Sequence, residues 1–275
     1  MAKVTLTGVL RAALFIAALS AGRSPGAQQT ADDIRGLSRN PLADAVQIPI
    51  GESVSFGGVP NNRVANSIQL LPILPLSVTQ NWMLIPRIVT TVVAYQPDVT
   101  RSSSGSTGTG DTFATFFLTP IHTGKMVWGA GPSLLIPTST SPELGSGKWG
   151  LGPAVGLDMR PAWGSFWIAA QNLWSLPGHQ DRSIVNKMII ETNLSYNLPN
   201  SWYLFTNPTI NSDWTESGSD RWQMPCGGGL GRSFKIGSQG LDWNVALYYN
   251  AVRAQLSPKW QLSTQFTIVL PLRIR

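Results

Sequence analysis

The chain has 275 residues, with 20 lysines and arginines against 14 aspartates and glutamates, a formal charge of +6; 12% of its residues are charged and 43% hydrophobic. That is about half the charge of a soluble domain of this size, which argues against an ordinary soluble fold, and beyond the N-terminus no run reaches the roughly 18 apolar residues of a membrane helix. The bases are scattered, which excludes the clustered basic face of a nucleic-acid binder, and a single cysteine, Cys226, excludes an internal disulfide.

Lys3 and Arg11, an apolar core from Leu14 to Leu19 and the small residues Ser20, Ala21 and Gly22 read as an export signal over residues 1–27. Its removal takes Lys3, Arg11 and Arg23, leaving 17 bases against 14 acids and a net charge of +3, so much of the basicity belongs to the signal. Residues 28–43 follow as a short periplasmic N-terminal segment, and residues 44–275 carry the strand pattern.

Twelve segments of alternating apolar and polar residues are predicted, at 44–57, 64–77, 80–93, 111–121, 125–137, 148–160, 163–175, 184–197, 201–214, 219–234, 239–252 and 258–272. The last is the cleanest: Trp260, Leu262, Thr264, Phe266, Ile268, Leu270 and Leu272 alternate with Gln261, Ser263, Gln265, Thr267, Val269, Pro271 and Arg273. Successive strand side chains point to opposite faces, so a period of two gives one apolar and one wetter surface. Pro49 and Gly51 interrupt the first segment. Connections alternate between short (Thr79 to Asn81, His122 to Gly124, Pro161 to Ala162, Pro199 to Asn200, Gly237 to Gln239) and longer ones such as Ala94 to Gly110, Thr138 to Gly147 and Leu176 to Ser183. Outer-membrane barrels have this alternation, with short periplasmic turns and long external loops, and an even strand count brings both chain ends to the periplasmic side.

Ten of the eleven tryptophans sit at or near the ends of these segments; only Trp167 is interior. An indole has an apolar body and one N–H donor, which suits the boundary between hydrocarbon and water. The residues therefore specify an all-β chain: a single transmembrane up-and-down antiparallel β-barrel of about 12 strands, exported through the periplasm to the cell outer membrane, with its lipids as partners. Such a barrel is wider inside than one of about 8 strands and narrower than a porin of about 16, and its interior is either a pore for small solutes or closed by side chains.

An arginine facing midplane lipid costs about 2 to 4 kcal/mol, which assigns Arg87, Asp158, Arg160, Lys187, Glu191 and Arg221 to the lumen, with Asn207, Asn211, Gln223 and Asn244 as neutral lining. These charges either pair with one another across a filled interior or form a mixed-charge constriction that filters solutes. Catalytic motifs are poor by comparison. Gly145 to Lys148 reads GSGK, but Pro142 stands where a phosphate loop has its leading glycine and Trp149 where Ser or Thr follows the lysine. Gly227, Gly228, Gly229 and Gly231 fit relief of crowding in a wall strand. His122 and His179 fall on connections at opposite rims, and no cluster has the ligand spacing of a zinc site. A lipid hydrolase would have to be built on His179 with Ser175 or Ser183, in a loop without strand alternation. No cofactor, metal or catalytic residue is expected, and the reading is a non-enzymatic barrel, with a closed structural or surface-interaction barrel as its rival.

Several stretches resemble a family of Gram-negative outer-membrane proteins named for the meta-pathway of phenol degradation: NPLAD at Asn40 to Asp44, WGAGPSLLIPTST at Trp128 to Thr140, LGSGKWGLGP at Leu144 to Pro153, YNLPNSWYL at Tyr196 to Leu204, NSDW at Asn211 to Trp214 and RWQMPCGGGLGRSFKIG at Arg221 to Gly237. The resemblance implies a β-barrel and a proposed role in the passage of aromatic or other hydrophobic compounds. It brings no catalytic or binding residues with it.

Overall fold

The alternating segments pair edge to edge, every neighbour antiparallel, until the sheet meets itself. A computed structural model describes residues 30–58, 64–98, 105–121, 125–177, 182–255 and 257–271; the expected signal peptide, both histidines and Leu272 lie outside these. The described strands are β1 (Ala45–Phe56), β2 (Ala65–Leu70), β3 (Leu76–Ser77), β4 (Trp82–Pro97), β5 (Gly105–Gly108), β6 (Thr112–Pro120), β7 (Met126–Ile136), β8 (Gly150–Met159), β9 (Gly164–Ser175), β10 (Asn186–Asn197), β11 (Trp202–Thr206), β12 (Thr209–Asp213), β13 (Trp222–Ile236), β14 (Gln239–Val252) and β15 (Trp260–Pro271).

Three wall strands are split in two, β2 with β3, β5 with β6 and β11 with β12, so these segments make a closed barrel of 12 antiparallel strands. Pairing of β1 with β15, from Ala45 opposite Pro271 to Phe56 opposite Trp260, joins the first strand to the last. The register therefore puts Ala45 and Pro271 at one rim, together with the short turns. We call this the terminal rim and the opposite one the loop rim. The break between β11 and β12 falls at Asn207 and Pro208, where proline has no N–H for the ladder. Tyr248 fills the gap from inside: its hydroxyl accepts from the Asn207 N–H at 2.8 Å and donates to Asn207 Oδ1 at 2.6 Å.

Facing direction follows the period of two. Val155 (56% exposed), Leu247 (44%), Leu262 (44%) and Phe266 (36%) point outward, while Thr115, Ser133, Asn193, Ser195, Asp242 and Asn244 point inward and are buried. Ile268 is buried only against outward neighbours, Ile48 and Leu241 with Leu70 and Leu270 packed beside them. Outward indoles form two girdles. At the terminal rim Trp82 meets Trp128 edge to face at 6.1 Å and Trp163 stacks on Tyr196 at 6.4 Å. At the loop rim Trp214 meets Trp222 at 5.8 Å and Tyr249 meets Trp260 at 5.0 Å. Trp167 alone among the described tryptophans is fully buried, pointing inward at 2% exposure.

The segment before β1, assigned from sequence to residues 28–43 as a short periplasmic segment, is described from residue 30 onward. Helix α1 (Ala31–Ser38) and the chain to Ala43 pack against inward-facing wall residues at the terminal rim. Ile34 is fully buried with Ala43, Ala45 and Val269, and Leu42 with Ile73, Met83, Ile85, Phe117 and Trp167. Asp32 and Asp33 occupy the first turn of α1, where the helix dipole favours anions. Arg35 donates to the Leu198 and Trp202 carbonyls, both at 3.2 Å, which ties α1 to the β10 to β11 turn. Asn40 then turns the chain into β1: its Oδ1 accepts from the Leu42 N–H at 2.8 Å, and its carbonyl accepts from Gln47 Nε2 at 2.6 Å. An asparagine before proline suits such a turn, because its short amide replaces a backbone acceptor.

The outward face can be tested by charge. Val155→Arg and Leu247→Arg are each expected to lower the unfolding free energy in lipid vesicles by about 2 to 4 kcal/mol, the cost of an arginine at the bilayer midplane. Urea titration followed by tryptophan fluorescence measures this; a change below about 0.5 kcal/mol for both, normal for an aqueous surface, would mean that this face meets water.

Candidate functional site

The barrel interior is divided by one ion pair. Arg87 on β4 donates to Glu191 on β10 at 2.7 Å, with side chains 6% and 26% exposed. Along the wall, four strands stand between β4 and β10 on one side and six on the other, so the pair crosses the lumen and leaves a smaller and a larger lobe. The Trp167 ring lies 5.6 Å from the Arg87 guanidinium and adds a cation–π contact.

The smaller lobe is packed. Phe117 and Trp167 meet at 5.9 Å in a T-shaped arrangement, and they lie on a floor made by glycine: a Cβ on Gly156 would sit 2.6 Å from the Trp167 ring. Leu135, Leu173 and Val185 close the lobe toward the loop rim. Thr115, Ser133 and Gln171 fill the polar gap, Gln171 Oε1 accepting from Thr115 at 2.9 Å and from Ser133 at 2.6 Å. The crevice that remains between Arg87, Phe117, Ala154, Gln171, Ile189 and Glu191 is too narrow for a water-sized sphere.

The larger lobe differs between its two halves. Toward the loop rim it is lined by Gly51, Ser53, Ser67, Gln69, Gln261, Gln265, Gln223 and Gly227, all at least partly accessible. Most of this lining is neutral: amides, hydroxyls and bare backbone. Toward the terminal rim the same lobe is filled by α1 and the chain to Ala43. Arg39 lies there with its guanidinium 4.8 Å from the Tyr203 ring centroid and 4.7 Å from that of Phe205. It donates to Asn193 Oδ1, and at 3.4 Å to the Tyr203 hydroxyl. That hydroxyl donates to Asp242 at 2.7 Å, and Ser233 donates to the other Asp242 oxygen at 2.6 Å. Gly231 makes room for the Tyr203 ring, since a Cβ there would lie 2.2 Å from it.

Of the residues assigned to the lumen from sequence, Arg87, Asp158, Glu191, Asn211, Gln223 and Asn244 point inward from wall strands. Asp158 is fully buried and pairs with Arg160 at 3.3 Å, Arg160 standing in the terminal-rim turn with its side chain 41% exposed. Lys187 pairs with Asp213 at 3.4 Å near the loop rim. Asn207 occupies the strand break and is held by Tyr248. Arg221 does not line the lumen: it belongs to a 3-10 turn before β13, donates to the Glu216 carbonyl at 3.0 Å and covers the Trp214 ring at 5.6 Å. The loop between β12 and β13 therefore places it on the rim girdle. His179, the residue on which a hydrolase would have to be built, lies outside the described residues, as does His122. Among the described residues no cluster of His, Cys, Asp and Glu suits a metal ion.

Arg39, Tyr203 and Phe205, which carry no sequence signal for the interior, complete the site together with Asn193 and Asp242, whose polarity puts them on the wet face of their strands. At the loop rim the segment after β7 folds over β5 and β6. Asp111 accepts from the Ser146 N–H at 2.6 Å and from its hydroxyl at 2.8 Å, and Ser106 donates to Glu143 at 3.1 Å. The backbone N–H of Glu143, with the Ser141 and then the Ser106 hydroxyl adding to it, holds its carboxyl below the ordinary 4.5. This contact supports loop order above that ordinary value and is lost as pH falls through the lowered one.

No family model and no curated protein matches the chain. Solved structures do. An outer membrane channel from Pseudomonas putida F1 superimposes with a TM-score of 0.58 at 13% identity, covering 90% of this chain and 100% of that one. A NanC porin gives 0.48 at 13% identity over 83% and 100% of the two chains, and the monoaromatic hydrocarbon channel CymD gives 0.44 at 10% over 93% and 96%. At these identities the likeness is one of fold, and the first of them carries it.

The transverse pair makes a quantitative claim. Arg87→Ala and Glu191→Ala each leave a charge facing an apolar wall, and a charged hydrogen bond of this kind contributes about 1.5 to 3 kcal/mol. A double-mutant cycle by urea unfolding is expected to return a coupling energy above about 1 kcal/mol; additive effects would show that the two charges act independently.

Proposed function

We propose that the chain is an outer-membrane channel for passive passage of small solutes, running along the larger lobe and closed at its terminal end by the arm of residues 31–43. The observation that carries this reading is how the lumen is closed. Wall side chains packed on glycine fill the smaller lobe, with Leu42 of the arm against Phe117 and Trp167 at its terminal end, whereas the larger lobe is filled only at its terminal end, and there by a segment that is no part of the wall. Its open half is lined by amides, hydroxyls and glycines, and the lumen charges Arg87, Glu191, Lys187 and Asp213 neutralise each other in pairs. Such a lining favours small uncharged solutes and gives weak discrimination between cations and anions. The likeness of fold to an outer membrane channel supports the class. The family resemblance extends the solutes to aromatic and other hydrophobic compounds, and the lipid bilayer of the outer membrane is the partner of the outward face. Selection would come from the width of the larger lobe and from the loops above it.

Liposome swelling tests the reading. The wild-type barrel is expected to admit a neutral monosaccharide slowly. A variant with Ile34→Asp and Leu42→Asp, which drives the arm out of its apolar seats, is expected to admit it several-fold faster. Phenol and glucose serve as the aromatic and hydrophilic comparison. If neither protein admits solute, while both show the heat-modifiable gel migration of a folded barrel, the channel is rejected and the closed structural barrel takes its place.

A further inference from the structure

The arm is held by an interaction that a free molecule can imitate. Arg39 is 6% exposed, yet among the described residues it forms no ion pair. Arg35 and Arg87 by contrast meet carboxylates at 3.1 and 2.7 Å. Its Nε has no hydrogen-bond partner among the described residues. What receives the guanidinium is a wall pocket: two aromatic faces under 5 Å away, the Asn193 amide oxygen and the Tyr203 hydroxyl. Asp242 acts from behind Tyr203 through the 2.7 Å hydrogen bond from that hydroxyl. The pocket itself is rigid. Ser233 and Tyr203 fix Asp242, Gly231 seats the Tyr203 ring, and Tyr203, Phe205, Ala246 and Tyr248 pack as one cluster. A rigid cage of two rings with polar acceptors at its edge is the chemistry that recognises delocalised organic cations. A cation buried without its own carboxylate is, in addition, the weakest-held charge a latch can use.

We propose that Tyr203, Phe205, Asn193 and Asp242 form a binding site for small guanidinium cations, that Arg39 occupies it as an intramolecular ligand, and that a solute of this class competes with the arm for it. The site stands whether or not the barrel conducts; its use in releasing the arm rests on the channel reading. A tethered occupant acts at an effective concentration in the millimolar range for a short linker, so the wild-type protein masks the site and a chain without the Arg39 guanidinium exposes it.

Methylguanidinium is the probe, titrated by calorimetry into detergent-solubilised wild type, Arg39→Gln and Arg39→Gln combined with Phe205→Ala. Arg39→Gln is expected to bind at least tenfold more tightly than wild type, and removal of the Phe205 ring to abolish that gain. Arg39→Lys, which keeps a charge without the planar fork, is expected to fall between wild type and Arg39→Gln and serves if the glutamine variant does not fold. Equal affinity in wild type and in these variants, or affinity indifferent to Phe205, overturns the site. In planar bilayers the same probe is expected to raise wild-type conductance several-fold. Binding to Arg39→Gln without that rise refutes release of the arm while keeping the site, and a loss of conduction in every variant refutes the channel alone.

Discussion

A sheet inside hydrocarbon has no water to satisfy its edges, so every backbone N–H and C=O must find a strand partner. That constraint makes β1 pair with β15 and turns the chain into a closed cylinder. The rest follows from the closure. A cylinder of this strand number encloses more space than a single layer of inward side chains fills, and an empty apolar lumen would be costly. The molecule meets this in three ways: aromatic residues pack over glycine in the smaller lobe, an ion pair spans the middle, and the arm occupies what remains near the terminal rim.

These three fillings differ in how firmly they are tied. Phe117 and Trp167 belong to wall strands and interlock with Gly156. Arg87 and Glu191 are fixed at their backbones and meet only at their tips. The arm is joined to the wall by one covalent link, at β1, and otherwise by Ile34, Leu42, the Arg35 contacts and the Arg39 cage. Release of the arm, on which the proposed passage depends, would therefore disturb no hydrogen bond between wall strands. Pairing of the lumen charges has the same sense: a channel that offered a lone charge would hold counter-ions, while paired charges leave a nearly neutral path.

The wall was legible in the sequence because lipid imposes a strict alternation on it. The described wall strands and both tryptophan girdles fall where the period of two and the amphipathic indole place them, Trp167 included as the interior exception, but the hairpin of β4 and β5 runs through Ala94–Pro97 and Gly105–Gly108, inside a connection whose Ser, Gly and Thr residues read as loop. The interior was less legible. Polarity identified Arg87, Glu191 and Asp158 as inward, since such charges are barred from lipid, but it could not tell a lumen from a rim, and Arg221 was placed in the wrong one of these two wet regions. The arm escaped notice for a different reason: α1 has eight residues with Ile34 and Leu37 as its larger apolar side chains, and so short a stripe has no periodicity to read. Tyr203 and Phe205 were visible as strand residues. Their pairing with Arg39 depends on the β10 to β13 register and on the arm's reversal at Asn40, which are tertiary facts.

Spin-label accessibility in bilayers tests the central claim, that oily side chains face lipid around a lumen closed by the arm, in one experiment. In a Cys226→Ser background, labels at Val155→Cys and Leu247→Cys should be relaxed by oxygen and shielded from a water-soluble nickel chelate. A label at Leu42→Cys, introduced with Ile34 and Arg39 intact, should be shielded from both. Chelate access at Val155 and Leu247, or at Leu42, would contradict the account.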